Sequence, residues 1–131
     1  MSAEAKLTFA NEAFYAAFAG GDLEAMTALW SAQDPLYCLH PSWPLLTGRK
    51  AIVESWSNIL AAGASSMACE APIAWRQGEV GLVLCRERLG DALLAATNLF
   101  RLEGGDWRLF HHHAGQTRVL SEPEGAAQRL Q

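Results

Sequence analysis

The chain has 131 residues, a formal net charge of −4 at pH 7, and a composition that is 50% hydrophobic and 18% charged. This excludes a disordered chain and suits one domain with a single core that needs no disulfide or structural metal. Scattered lysines and arginines exclude a nucleic-acid partner, and neither a signal peptide nor an apolar run near the roughly 20 residues of a membrane span is found, so we expect a soluble cytoplasmic protein.

Three helices are predicted in the first half of the chain. Residues 3–19 form the first, because apolar residues recur there at three- and four-residue steps. Asp22 is a suitable N-cap for the second, and Thr47 caps a third that ends at Gly63. Residues 36–41 are predicted as a short strand. The apolar faces of the helices contain Leu7, Phe14 and Phe18, then Met26 and Trp30, then Ile52, Trp56 and Ile59.

After residue 66 the hydrophobic period changes from 3.6 to 2, which predicts four long strands at 67–77, 80–89, 93–103 and 106–117. The short glycine-containing links between them favour antiparallel hairpins. Pro72 indicates an edge position or a bulge in the first of these strands.

Segregated helices and strands of this kind predict an α+β domain. A long, twisted meander covered on one face should curl into a cone-shaped sheet, mixed or antiparallel, wrapped around the three N-terminal helices. The domain is expected to span residues 1–120. Residues 121–131 are polar and are expected to form a C-terminal tail.

Five segments carry a family resemblance. They are Phe14–Phe18 with Gly21–Met26, then Leu46–Ile52, then Asn98–Arg101 and Trp107–His113. Because these segments occur in this order, the chain resembles the nuclear transport factor 2-like superfamily, which has a ketosteroid isomerase-like cone fold. Within that superfamily it resembles the SnoaL-like proteins. The last segment also resembles the final strand of the calcium/calmodulin-dependent kinase association domain. The superfamily contains isomerases, dehydratases, cyclases, transport factors and oligomerisation domains, so the resemblance implies a fold and leaves the function open.

The histidines are the first candidates for chemistry. Strict alternation along the last strand places His111 and His113 on the face of Trp107 and Leu109, with His112 on the other face. The resemblance implies that one face of this strand lines a pocket and that His40 lies close by. We assign the Trp107 face to the pocket, and the opposite face is the alternative. His40, His111 and His113 are therefore the candidate catalytic residues, with a histidine as general base. The alternative is that these rings are neutral and structural.

No metal and no cofactor are expected. His111 and His113 have the spacing of two ligands on one strand face, but no carboxylate stands at a matching position. The three cysteines, at positions 38, 69 and 85, lie in apolar stretches and are expected to be buried free thiols.

The candidate ligand-binding residues are mainly aromatic. Helix spacing also allows the alternative that Trp30 and Trp56 only fill the core. Arg86, Glu87 and Arg88 are interpreted as a solvated strand end. The full set of ligand-binding candidates is Tyr15, Trp30, Trp43, Trp56 and Asn98.

Three functional hypotheses follow. The chain binds a small apolar molecule in the cone; or it is a cofactor-independent cyclase, dehydratase or isomerase; or it is a dimerisation module whose pocket is vestigial. Both faces of residues 80–85 are apolar, which favours a homodimer formed through the sheet, because a solvated face should be polar.

Overall fold

A computed structural model of the protein describes residues 2–63 and 66–118. In these residues three helices cover a curved, open, six-stranded mixed sheet, so the predicted α+β cone is confirmed. The predicted tail at 121–131 lies outside the described residues. The elements are α1 (Ala3–Ala19), α2 (Leu23–Leu29), β1 (Tyr37–Leu39), β2 (Leu46–Thr47), α3 (Arg49–Ala61), β3 (Met67–Gln77), β4 (Val80–Leu89), β5 (Ala92–Glu103) and β6 (Asp106–Gln116).

The sheet order is β2-β1-β6-β5-β4-β3. All neighbouring strands are antiparallel except β1 and β6, which run parallel. Strand β3 is an edge, and its register with β4 shifts between Glu70 and Ile73, so the prediction for Pro72 is confirmed. The pairing of β1 with β6 brings the short segment beside the last strand, as the resemblance implied.

One of the two predicted helix N-caps is confirmed and the other is wrong. The Asp22 carboxylate accepts from the backbone N–H of Ala25 at 3.0 Å, which confirms it as the N-cap of α2. Thr47 is not a helix cap, because its backbone is extended and pairs with Tyr37 in the sheet. Gly48 takes the N-cap position of α3 with a φ of 85°, a conformation that favours glycine over a residue with a side chain.

The core lies between the inner face of the sheet and helices α1 and α3. Phe14, Trp56 and Leu109 are among its largest fully buried side chains. Helix α1 lies directly on β4 at Gly81, where a Cβ atom would stand 2.6 Å from Cδ1 of Leu7. Glycine at this position therefore lets the helix close over the sheet.

A bulge divides β6. Phe100 pairs with Leu109 and the preceding Leu99 pairs with His111, so Phe110 has no partner residue in β5. An extra residue of this kind reverses the alternation of all side chains beyond it. Trp107 and Leu109 are buried before the bulge, and His112 and Ala114 are buried after it. The prediction that His111 and His113 share the inner face with Trp107 is therefore wrong.

Candidate functional site

A cavity of about 220 Å³ lies inside the cone, between α1, α3, the segment after β1 and the inner face of the sheet. Its walls are mostly aromatic and aliphatic, and within residues 2–63 and 66–118 no lysine or arginine lines it. Three ionisable side chains reach it from three different elements. The lining residues are Phe14, Phe18, His40, Pro41, Trp43, Trp56, Ile59, Met67, Glu87, Leu89, Leu94 and His112.

His112 is held in one orientation by a buried amide. Its Nδ1 lies 2.6 Å from Oδ1 of Asn98. Nδ2 of Asn98 donates to Oδ1 of Asn11 at 2.9 Å and to the hydroxyl of Tyr15 at 3.1 Å. These two bonds orient the amide of Asn98 so that Oδ1 faces His112, and because an amide oxygen can only accept, Nδ1 of His112 donates to it. The ring is then a neutral acceptor at Nε2, and among the described residues Nε2 has no hydrogen-bond partner.

Burial controls the charge of this histidine. Desolvation, together with the like charge that His40 would carry, lowers the pKa of His112 to about 3. His112 is therefore neutral at physiological pH.

Glu87 supplies the acidic side chain of the cavity, although it lies near the end of β4. The buried positions of β4 alternate up to and including Glu87, whose side chain is only 2% exposed. The Tyr15 hydroxyl donates to Oε2 of Glu87 at 2.6 Å. Burial raises the pKa of Glu87, and the bond from Tyr15 partly offsets this. The interpretation of Arg86–Arg88 as a solvated strand end is wrong for Glu87.

Tyr15 connects the acid to the histidine. It donates to Glu87, accepts from Asn98, and lies 3.2 Å from Sγ of Cys85. Because its single proton is directed at Glu87, the thiol of Cys85 is the donor in the third contact. Burial and the neighbouring carboxylate raise the pKa of Tyr15 well above its ordinary value, so the phenol stays protonated. Three hydrogen bonds thus link Glu87 to His112.

His40 lies on the other side of the cavity. The hydroxyl of Ser55 donates to the carbonyl of Ile52 at 2.7 Å, so Nε2 of His40 must donate to Ser55 at 2.9 Å. The ring contacts Trp43 and Trp56 edge-on, with centroids 4.8 and 4.7 Å away. Burial lowers the pKa of His40 to about 4. His40 is therefore a neutral ring whose donor is already used.

The structure brings His40 together with His112, at 6.3 Å between ring centroids, and not with the two histidines that were predicted. His111 and His113 lie on the outer face of the sheet, 6.4 Å apart, and neither lines the cavity. The bulge at Phe110 is the reason.

Two of the five predicted ligand-binding residues, Trp43 and Trp56, line the cavity. Tyr15 and Asn98 lie behind the wall and orient the groups that do line it. Trp30 packs in the core, where it bridges to Leu109, and it does not reach the cavity.

Sequence reasoning missed His112 and Glu87. The signal for Glu87 was present, because it shares the parity of Val83 and Cys85 on β4. Nothing in the sequence marked the bulge that turns His112 inward.

Within residues 2–63 and 66–118, no group of three or more histidine, cysteine or acidic side chains is placed to hold a metal ion. Cys38 and Cys85 are buried free thiols and Cys69 is half-buried. None of the described helices is both long and apolar enough to span a membrane.

Comparison with known proteins agrees with the fold. The family model of the SnoaL-like domain matches residues 8–117. A proposed dehydratase of the nuclear transport factor 2-like family from Streptomyces avermitilis superposes with a TM-score of 0.81, at 29% identity over 88% of this chain and 96% of its own. A proposed calcium/calmodulin-dependent protein kinase type II association domain from Thiobacillus denitrificans gives 0.76, at 34% identity over 83% and 93% of the two chains.

Among curated proteins, the F-box protein SKIP8 of Arabidopsis thaliana is 25% identical over 120 residues. The match covers 79% of this chain and 46% of that protein, so the chain spans less than half the length of this relative.

Proposed function

Since the chain belongs to the SnoaL-like domain family, we propose that it binds a small apolar molecule in the cavity beneath its sheet. The observation that carries this proposal is the mostly apolar cavity of about 220 Å³ into which His40, Glu87 and His112 converge. A concave apolar site with a few convergent polar groups is the usual form of a small-molecule site. Because a dry cavity of about 150 Å³ holds benzene, this one suits a single ring with short substituents.

Calorimetric titration with p-xylene and p-cresol tests the proposal. Trp43→Ala removes an aromatic wall at the cavity mouth and should weaken binding at least about tenfold, because a large buried contact area is lost. Trp75→Ala is the matched control, since both tryptophans are partly exposed, at 40% and 62%, but Trp75 lies away from the cavity. Equal weakening by both variants, or no binding to the wild type, would contradict the proposal.

The alternative function is catalysis as an isomerase, dehydratase or cyclase. The free Nε2 of His112, in a cavity that the buried Glu87 also lines, favours it, and so does the 29% identity to a proposed dehydratase. A pKa of about 3 weighs against it, because a general base works best when its pKa is near the working pH. The shortfall of roughly four units corresponds to about 5 kcal/mol of proton-transfer driving force.

Turnover of a hydroxylated ring compound would favour catalysis if His112→Gln abolished it while ligand binding persisted. Equal turnover by His112→Gln and the wild type would remove His112 as the base.

The partner of the outer face is proposed to be a second copy of the chain. Ile73, Trp75, Val80 and Leu84 form an exposed apolar patch on β3 and β4. Contiguous exposed apolar surface of this kind is typical of an interface. Ile73→Asp should convert a dimer to a monomer in analytical ultracentrifugation, without changing ligand affinity. A wild type that sediments only as a monomer at micromolar concentration would contradict this proposal. The cytoplasmic location stays a prediction.

A further inference from the structure

Two polar atoms of the lining residues, Nε2 of His112 and Oε1 of Glu87, are acceptors without a partner among the described residues. We infer that the ligand is a single-ring compound with a hydroxyl group, which it donates to Nε2 of His112, and that Glu87 sets this preference. The inference rests on the proposed binding function and adds the ligand's chemical class to it.

Glu87 determines which groups donate and which accept in the hydrogen bonds that lead to His112. While this carboxylate is ionised it can only accept, so Tyr15 donates to it at 2.6 Å. Tyr15 has then no proton left for Asn98 and accepts from its Nδ2 at 3.1 Å. That leaves Oδ1 of Asn98 to accept from Nδ1 of His112, at 2.6 Å. The ionised acid therefore fixes Nε2 of His112, at the other end of the chain of bonds, as an acceptor.

The remaining polar atoms of the lining include one donor, because Nε1 of Trp56 is buried without a partner among the described residues. A hydroxyl oxygen can accept from such a donor while its proton is donated to Nε2 of His112. Oε1 of Glu87 has no partner among the described residues and is a second acceptor. His40, the third ionisable side chain, already donates a hydrogen bond from its Nε2 to the hydroxyl of Ser55. An aldehyde, ketone or ester would bring its own lone pairs against these acceptors and leave buried groups unpaired, at about 1–3 kcal/mol each.

An anionic ligand is disfavoured more strongly. Among the described residues, the lining contains an acid and no lysine or arginine, so a carboxylate or phosphate would be buried near a like charge without a counterion. A hydroxyl group is a neutral donor and needs no counterion.

Competition between ring compounds of nearly equal size tests this at pH 8. p-Cresol and p-xylene differ by a hydroxyl in place of a methyl, and 4-methylbenzaldehyde supplies an acceptor of similar size. Partition from water alone favours p-xylene, so tighter binding of p-cresol isolates the hydrogen bond. We expect p-cresol to bind at least about tenfold tighter than the aldehyde, and tighter than p-xylene.

Tighter binding of the aldehyde or of p-xylene would overturn the inference and leave the proposed binding function intact. Failure of all three compounds to bind would overturn both.

Glu87→Gln tests the role of the acid as a positioning residue. A glutamine amide can donate to Tyr15, which allows the chain of bonds to reverse and His112 to present a donor. The preference for p-cresol over the aldehyde should fall to about threefold or less, while p-xylene affinity changes little. Glu70→Gln, on the exposed side of β3, is the matched control and should keep the full preference.

A direct readout needs no variant. In ¹⁵N spectra of the wild type, the Nε2 resonance of His112 should be that of an unprotonated nitrogen and should shift on addition of p-cresol but not of p-xylene. A protonated Nε2, or an equal response to both compounds, would overturn the inference.

Discussion

The inner and outer faces of β6 place the same residue type in opposite environments. His112 is 3% exposed, has Asn98 as a fixed partner and has a pKa lowered to about 3. His111 and His113, its immediate neighbours, lie on the outer face and have no hydrogen-bond partner among the described residues. Position relative to one bulge, and not residue identity, therefore decides which histidine can take part in a buried site.

The largest expected effect comes from breaking the inner network. Asn98→Leu leaves Nδ1 of His112 and Oδ1 of Asn11 unpaired in the core, so we expect the free energy of unfolding to fall by about 4 kcal/mol. Thr97→Val changes the neighbouring outer-face residue and should stay within about 0.5 kcal/mol. Urea denaturation measures both. Similar losses for the two variants would contradict the assignment of faces.

Acid should destabilise the protein through the inner histidines. The pKa values of His40 and His112 fall to about 4 and about 3, below the ordinary 6.5 of the unfolded chain. Between these values the unfolded state binds more protons, so stability is present above pH 6.5 and is lost as pH falls. The raised pKa of Glu87 acts in the opposite direction and offsets part of the loss.

We expect a net loss of about 3 kcal/mol between pH 7 and pH 5. Denaturant unfolding at a series of pH values measures it, and His112→Gln should reduce the slope by less than half, because the lowered pKa values of His40 and of the half-buried His111 remain. A stability that is flat or rises toward pH 5 would show that these rings are not buried as neutral groups.

Truncation of single histidines gives a smaller but sharper contrast. His112→Ala removes a packed ring and leaves Asn98 Oδ1 unpaired, so a loss of about 2–3 kcal/mol is expected. His113→Ala removes an exposed ring and should cost less than about 0.5 kcal/mol. A larger loss of stability for His113→Ala than for His112→Ala, in thermal or urea unfolding, would instead support the strict alternation that the sequence suggests.

The smallest effect is expected at the bulge itself. Phe110 is half-buried and stacks under the Arg101 guanidinium, 4.5 Å from the ring centroid. Phe110→Ala should cost about 1 kcal/mol, since it removes this contact and little core area. His112 should stay on the inner face, because the extra residue remains in the strand. An exposed His112 in this variant would show that the phenylalanine ring maintains the bulge.

The helices and long strands could be predicted from the sequence because burial follows their periods closely. Leu7 and Phe14 on α1, and Val83 and Cys85 on β4, repeat at the spacing of one buried face. Local rules of capping and turn formation also predicted Asp22 as an N-cap and the links between the long strands as hairpins.

The site could be predicted only in part. Trp43 and Trp56 were identified by residue type, but a bulge depends on pairing with β5, which strand periodicity does not contain. Glu87 was missed because a charged residue between two arginines is usually solvated, and only the cover of α1 with Tyr15 makes this one buried. Tertiary contacts, rather than local pattern, build the polar half of the cavity.

Proton–proton nuclear Overhauser effects from the histidine rings test the central claim most directly, since they show which histidine lies inside. The centroid of the His112 ring is 4.9 Å from that of Phe14. Cross-peaks between the ring protons of His112 and Phe14, with none from His111 or His113 to Phe14, are the predicted result. Cross-peaks from His111 or His113 to Phe14, with His112 lacking them, would contradict the account.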